Sequence, residues 1–239
     1  MVEDAELRAV TQVRWRSART CHICFAAVIS RGMERLTAYD SFDGIPSATR
    51  DGLACAYQRV FAKPPWKERW ERTQVLTKLR RDLASGNAFL SVLAGDATDP
   101  VAGFCWGASV SPARARDRVR AARPMRSHAA LAEIVLRLRA RVLFVDEIAV
   151  LPRFRGGLTP LLQLVLPVAE IAAAEGLPVV CWSNERARIV PILLEYFGFD
   201  DLGRVDELRF FQIGAENAPP WLRKIQEALG LPQGEAGRE

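Results

Sequence analysis

Residues 142–176 read VLFVDEIAVLPRFRGGLTPLLQLVLPVAEIAAAEG. The opening residues are apolar on both alternating faces, with Val142, Phe144, Ile148 and Val150 on one and Leu143, Val145, Ala149 and Leu151 on the other. A strand apolar on both sides belongs in the middle of a covered sheet. Asp146 and Glu147 are its only acids, and charge in such a strand needs a partner or a task. The last part is helical in pattern. Thr159 suits the N-cap, Pro160 the first helical position and Gly176 the residue just past the end. Gln163 and Glu170 mark one polar stripe on an otherwise apolar helix, which implies that most of it is buried. Between strand and helix stands Arg153-Phe-Arg-Gly-Gly-Leu-Thr159. Glycines at such a junction let backbone approach a ligand, and a helix N-terminus offers unpaired N–H groups to an anion. The pattern suggests a phosphate or pyrophosphate site, with a plain tight connection as the alternative.

Val145-Asp-Glu-Ile-Ala-Val-Leu-Pro followed by Phe154-Arg-Gly-Gly-Leu resembles the acyl-CoA-binding core of the GNAT superfamily of N-acyltransferases. In that family a strand runs into a Val-x-Pro-x-(Tyr/Phe)-Arg-Gly-x-Gly turn and then a helix. A second match follows. Pro178-Val-Val-Cys-Trp reads as a short strand, and Asn184-Glu-Arg-Ala187 opens a helix ending in Tyr196-Phe-Gly198-Phe199, similar to the family's Asn-x-x-Ala … Gly-Phe segment. The resemblance implies a single α/β domain with a mixed central sheet flanked by helices. It also implies acyl-CoA, acetyl-CoA first, as co-substrate, no metal, and direct transfer to a primary amine in a ternary complex. Backbone groups of Ile148, Ala149 and Val150 would meet the pantetheine arm. Arg155, Gly156, Gly157, Leu158 and Thr159 would hold the pyrophosphate, and Asn184 would be a cofactor or backbone contact.

Glu147 lies where related enzymes often carry a catalytic carboxylate, which makes it the candidate general base. Largely apolar surroundings would raise its pKa towards a useful range. The alternative is that Glu147 or Asp146 pairs with a structural arginine, for example from the segment that precedes the strand. Some positions depart from the family pattern. Leu158 stands where its turn ends in a small residue, and Pro160 removes one donor. The spacing from Asn184 to Gly198 runs long. Leu194 occupies the position that often carries a general-acid tyrosine, and Tyr196 would face another side of the helix. These departures keep a second reading alive, a degenerate domain of the same fold that binds CoA or serves as an interaction module.

The chain has 239 residues, 49% hydrophobic and 26% charged, ordinary for a globular protein with one sizeable core. No run approaches the ~18 uninterrupted apolar residues of a membrane span. Charges recur through residues 3–19, so no signal-peptide core is evident, and a cytoplasmic location is expected. Five cysteines fit reduced, mostly buried thiols. Cys21-His-Ile-Cys24 has metal-like spacing, but only His128 remains elsewhere to complete a ligand set. Of the net charge of +5, much of the excess is arginine in residues 111–126. The favoured reading of that segment is a solvated loop. Nucleic-acid binding would need a motif that the chain does not display, and the oligomeric state is left open.

Outwards from the core, residues 1–32 precede the family-like region. Ile23-Cys-Phe-Ala-Ala-Val-Ile29 would be an extra strand or helix, or the segment is an upstream extension with Met33 as the start. Residues 34–40 suggest the first strand of a domain spanning 33–213. Leu53, Tyr57, Val60 and Phe61 fall at helical spacing, Lys63-Pro-Pro-Trp66 breaks that helix, and a second is expected over 67–84. The breaking loop flanks the acceptor pocket in a subset of related bacterial proteins; a rigid elbow with Trp66 in the core is the alternative. Residues 88–94 and 101–110 read as a hairpin, in which Trp106 packs in the core or lines the acceptor site. A helix over 129–139 completes a long insertion. Residues 202–204 and 207–213 suggest closing strands, and 214–239 a C-terminal helix, over 221–229, with a frayed tail.

Overall fold

A computed structural model describes residues 25–26, 36–122, 126–138 and 140–232. The strands are β1 (Phe25–Ala26), β2 (Leu36–Tyr39), β3 (Ala88–Ala94), β4 (Val101–Val110), β5 (Val142–Val150), β6 (Val179–Asn184), β7 (Asp200–Val205) and β8 (Leu208–Ile213). The helices are α1 (Ser47–Phe61), α2 (Arg72–Leu83), α3 (Pro112–Ala122), α4 (His128–Arg137), α5 (Thr159–Glu175), α6 (Ile189–Pro191) and α7 (Ala218–Ala228), and a π-turn covers Ile192–Tyr196. One mixed sheet runs in the order β1-β2-β3-β4-β5-β6-β8-β7, and its β5–β6 contact is parallel while the other pairs are antiparallel. The strand apolar on both faces, β5, is indeed interior to the sheet. The Cys21–Cys24 pair and Met33 lie outside the described residues; of the stretch 23–29, only the backbone of Phe25 and Ala26 is described, paired with β2.

Helices cover both faces. Helix α5, with α7 against it, packs over Cys105, Leu143, Val145 and Phe211. On the other face α1 and α2 bury Phe104 and Trp106, and α3 and α4 continue the cover over Ala108, Val110 and Phe144. From Phe104 to Val110 the even-numbered residues of β4 thus face the α1–α4 side, whereas Ala102 packs on the α5 side.

On β5 the expected unbroken alternation fails. Trp106 pairs with Glu147 and Gly107 with Val145, so Asp146 is an extra residue, a β-bulge. Before it, Val142 and Phe144 face the α1–α4 side; beyond it, Ala149 and Leu151 do, while Ile148 and Val150 turn towards α5. The bulge changes the phase and so sets both acids on one face. A Cβ at Gly107 would lie 2.0 Å from the Phe144 carbonyl oxygen, so only glycine fits opposite it.

Further expectations need correction. Residues 112–122, expected in a solvated loop, form a helix instead. Ser111 Oγ accepts from the Arg114 amide at 3.4 Å, Pro112 opens α3, and Ala115 and Val119, four apart, are buried. Helix α2 starts at Arg72 rather than 67: Lys67 has φ 52°, the Gln58 side chain holds the Trp70 carbonyl at 2.6 Å, and the Glu71 amide bonds Gln74 at 2.8 Å. Thr159 is not the N-cap of α5; Leu158 is, and Pro160 sits one residue into the helix. Gly176 closes the helix in the left-handed conformation, as its type suggests. Gln163 is buried, so the polar stripe on α5 is narrower than expected. Trp106 is fully buried and belongs to the core. No described helix is long and apolar enough to cross a membrane.

Candidate active site

The site forms where β5 and β6 part. Their pairing covers only Leu143–Val145 against Val179–Cys181, and both strands then continue without each other. The Leu151 amide donates to Ala102 on β4 at 2.8 Å. By the two-residue period of a strand, Ala149 shares that direction, and the backbone groups of Ile148 and Val150 face the gap. A cleft of about 1070 Å³ occupies the gap and runs along α5. Of the three residues expected to offer backbone to a ligand, two are therefore aimed at the cleft, and the N–H and C=O of Ala149 are spent on β4.

One end of the cleft is cationic. After β5, residues Pro152–Phe154 make a short turn, and Gly157 takes φ +148°, a conformation that side chains disfavour. A Cβ on Gly156 or Gly157 would meet nothing within 4 Å, so the turn lies under open space. The first-turn amides of α5 have no acceptor inside the helix, and Pro160 contributes none. Arg155 and its neighbour Arg188 stand here, and Arg186 also lines the cleft. Loss of solvation lowers the Arg155 pKa, and the neighbouring Arg188 cation adds to the effect. Arg155 Nε donates to the Val150 carbonyl at 2.7 Å. Arg153 points away, paired with Asp96 and with Asp99, the latter at 2.7 Å, which ties the turn to the β3–β4 loop. Open glycine backbone, helix amides and crowded cations fit a diphosphate-bearing ligand such as CoA.

The middle of the cleft is acidic, and here the expected apolar surroundings of Glu147 are not found. Tyr57 Oη donates to Glu147 Oε1 at 3.0 Å, and Lys78 Nζ lies 3.4 Å from the same oxygen. Lys78 also bonds Asp82 at 2.8 Å, and Trp106 Nε1 donates to Asp82 at 3.3 Å. Arg118 of α3 holds both oxygens of Asp146, at 2.9 and 3.0 Å from its Nε, and donates to the Asp82 carbonyl at 3.1 Å. The structural arginine thus exists, and its partner is Asp146. Burial pushes the Asp146 pKa up to about 6, against the pull of Arg118. For Asp82 burial also acts upwards but is outweighed by Lys78, leaving the carboxyl below its ordinary value. Burial tends to lower Lys78, yet Glu147, Asp82 and Asp146 together hold it above the ordinary range.

Asn184 ends β6 at the edge of the cleft. Its Oδ1 accepts from the Arg186 amide at 3.0 Å and its carbonyl from Ala187 at 2.9 Å, so it closes a turn rather than opening a helix. The helix after it is short and then widens. Phe197 N bonds the Ile192 carbonyl, a π-type bond that takes up surplus length between Asn184 and Gly198. Tyr196 turns away towards α7, where Lys224 lies over its ring at 4.5 Å. Leu194 packs against the core. Cys181 lines the cleft, but burial pushes its thiol far above the ordinary range, which disfavours a thiolate nucleophile.

Tyr57, Lys78, Asp82 and Arg118 were not visible as site residues. Tyr57 sits at core spacing on α1. Lys78 and Asp82 form an i,i+4 pair that a surface helix also shows.

No protein-family model and no curated protein match the chain. Solved structures do. The CoA-dependent acyl-homoserine lactone synthase BjaI with MTA aligns at TM-score 0.52 and 13% identity, over 82% of this chain and 89% of that one. A GNAT-family acetyltransferase from Listeria monocytogenes aligns at 0.47 and 10% identity, over 77% and 98%. One from Bacillus anthracis aligns at 0.46 and 8%, over 77% and 97%. At these identities the likeness is one of fold. The chain has a GNAT-like fold.

Proposed function

We propose that the protein is an acyl-CoA-dependent N-acyltransferase that moves an acyl group, acetyl first among them, to a primary amine by direct attack in a ternary complex. The observation that carries this reading is the continuity of one surface. The edge of β5 at Ile148 and Val150, which β6 no longer pairs, leads into the Gly156–Gly157 turn, the α5 amides and the neighbouring Arg155 and Arg188. In this reading the edge of β5 lies along the pantetheine arm, and the turn with Leu158 and Thr159 faces the pyrophosphate. Asn184 shapes the rim through its turn. Acyl-CoA supplies an acyl group activated as a thioester.

Glu147 is the proposed base. Tyr57 and Lys78 both engage Oε1, so Oε2 is the oxygen offered to the acceptor. The amine nitrogen bonds the acyl carbon as the C–S bond breaks with its electron pair on sulfur. The proton displaced from nitrogen passes to Glu147, directly or through a water, and from there to the thiolate. No Cys or Ser nucleophile is needed.

Acetyl-CoA should raise the melting temperature, as any ligand of the native state does. Gly157→Glu, which puts bulk and negative charge at the turn, should abolish the shift. An undiminished shift in that variant would move the cofactor elsewhere. A thiol-release assay over an amine panel then tests transfer itself. The degenerate-domain reading draws on the ion pair that occupies Glu147 and on the absence of a tyrosine at Leu194. It predicts no turnover of any amine, with the thermal shift if the domain keeps CoA and without it if the domain serves only as an interaction module.

A further inference from the structure

Part of the cleft wall is aromatic. Trp66, in the α1–α2 loop, and Trp182 on β6 stand at 89° with centroids 6.1 Å apart. Phe61 at the end of α1 lies 5.6 Å from Trp66. All three line the cleft with Glu147, and both tryptophans are half-buried. The corner is tied to the acid. Phe61 stacks on Tyr57 at 4.2 Å, and the Tyr57 hydroxyl is the one that donates to Glu147. Trp182 is fixed in register opposite Phe210. Perpendicular indoles give flat apolar area on two sides and a ring edge against a ring face. Their faces also attract an ammonium group on its way to a carboxylate. Lys63 and Lys67, both exposed, stand on the same loop and line the same cleft. Their charge disfavours an acceptor that carries several cations and tolerates one with an anionic group.

We propose that the acceptor is a small monoamine with a flat apolar body, of the arylalkylamine class, without further positive charge. This rests on the acyltransferase reading and names its acceptor. The planar group packs into the corner that Trp66 and Trp182 make with each other, and the aminoalkyl arm reaches to Glu147. The lysines at the rim turn polyamines and strongly basic peptides away.

The test compares 2-phenylethylamine, propylamine and spermidine at saturating acetyl-CoA by thiol release. The expected order in kcat/KM places 2-phenylethylamine about tenfold or more above propylamine, with spermidine lowest. Trp66→Ala and Trp182→Ala should each shrink the preference for the aryl over the alkyl amine by about tenfold, and Trp66→Phe should keep most of it. The thermal shift with acetyl-CoA is the folding control; Trp66→Leu, bulky but without a π face, replaces the alanine variant if that one unfolds. Preference for spermidine, or an aryl-to-alkyl ratio unmoved by these changes, overturns the proposal. If acetyl-CoA binds but no amine is turned over, the acyltransferase reading fails. Equilibrium dialysis of 2-phenylethylamine with CoA present then decides the acceptor class separately: Trp66-dependent retention sustains it, and no retention sinks it.

Discussion

At the scale of single residues, the cleft is governed by how buried charges are paired. Glu147 has two buried neighbours, Tyr57 and Lys78, on one oxygen, so its replacement by glutamine keeps the shape and the Tyr57 contact. Glu147→Gln should lower kcat by ~10²–10⁴-fold, the usual range for a lost base. The deficit should shrink at high pH, where more amine is already neutral, and the acetyl-CoA shift should persist. Joint loss of fold, cofactor and activity would instead make Glu147 a structural partner of Lys78. Arg118 and Asp146 give a second test. Arg118 is what restrains the raised Asp146 pKa of about 6. Without it the folded-state pKa rises further above the unfolded value, so the native state binds the proton more tightly. Stability then falls as pH rises through that range. Arg118→Met should therefore destabilise more at pH 8 than at pH 5, by about 3–5 kcal/mol where Asp146 stays charged, as for a broken buried pair. Urea melts at the two pH values read this, and equal losses would contradict it. Sequence alone shows the acids but not their partners. Lys78 and Arg118 come from helices α2 and α3, and only the folded packing brings them to β5.

At the scale of elements, regular alternation and glycine punctuation carried far. The hairpin over 88–94 and 101–110, the central strand and the helix closed by Gly176 all stand where their patterns put them. What escaped were the irregular pieces. A β-bulge leaves no mark in composition, because Asp146 is polar for either phase. The π-turn is likewise invisible except as surplus length before Gly198. Helix α3 was hidden by its arginines, although Ser111-Pro112 and the spaced pair Ala115 and Val119 are helix signals. The bulge has its own test. Gly107→Ala places a methyl against the Phe144 carbonyl, which cannot yield without parting β4 from β5. The loss of stability should exceed the roughly 1 kcal/mol of an average substitution. Gly156→Ala meets open space, so its stability should change little. Thermal melts of the two variants side by side separate a glycine required by packing from one beside the proposed ligand turn.

At the scale of the whole molecule, the sheet consists of two antiparallel blocks, β1–β5 and β6–β8, with the cleft at their junction. Helix α5 follows β5 and packs on α7 beyond β8, so one helix spans both blocks. This arrangement puts the cleft-facing edge of β5 at the seam between blocks rather than inside either one. It also explains why residues far apart in the chain, Trp66 and Trp182, meet across the same cleft.

The seam itself has a kinetic consequence. Its parallel ladder spans only Leu143–Val145 against Val179–Cys181, and the Leu143 amide reaches the Pro178 carbonyl at 2.9 Å. So short a zipper, in the weaker parallel geometry, is where a sheet should breathe first. A molecule lying along the open edges of both strands acts as a rivet across the blocks. In deuterium-exchange mass spectrometry, peptides covering 142–146 should exchange faster than those covering β4, and acetyl-CoA should slow them selectively. Uniform protection along β4 and β5 without ligand would show that the blocks open only when the whole domain does.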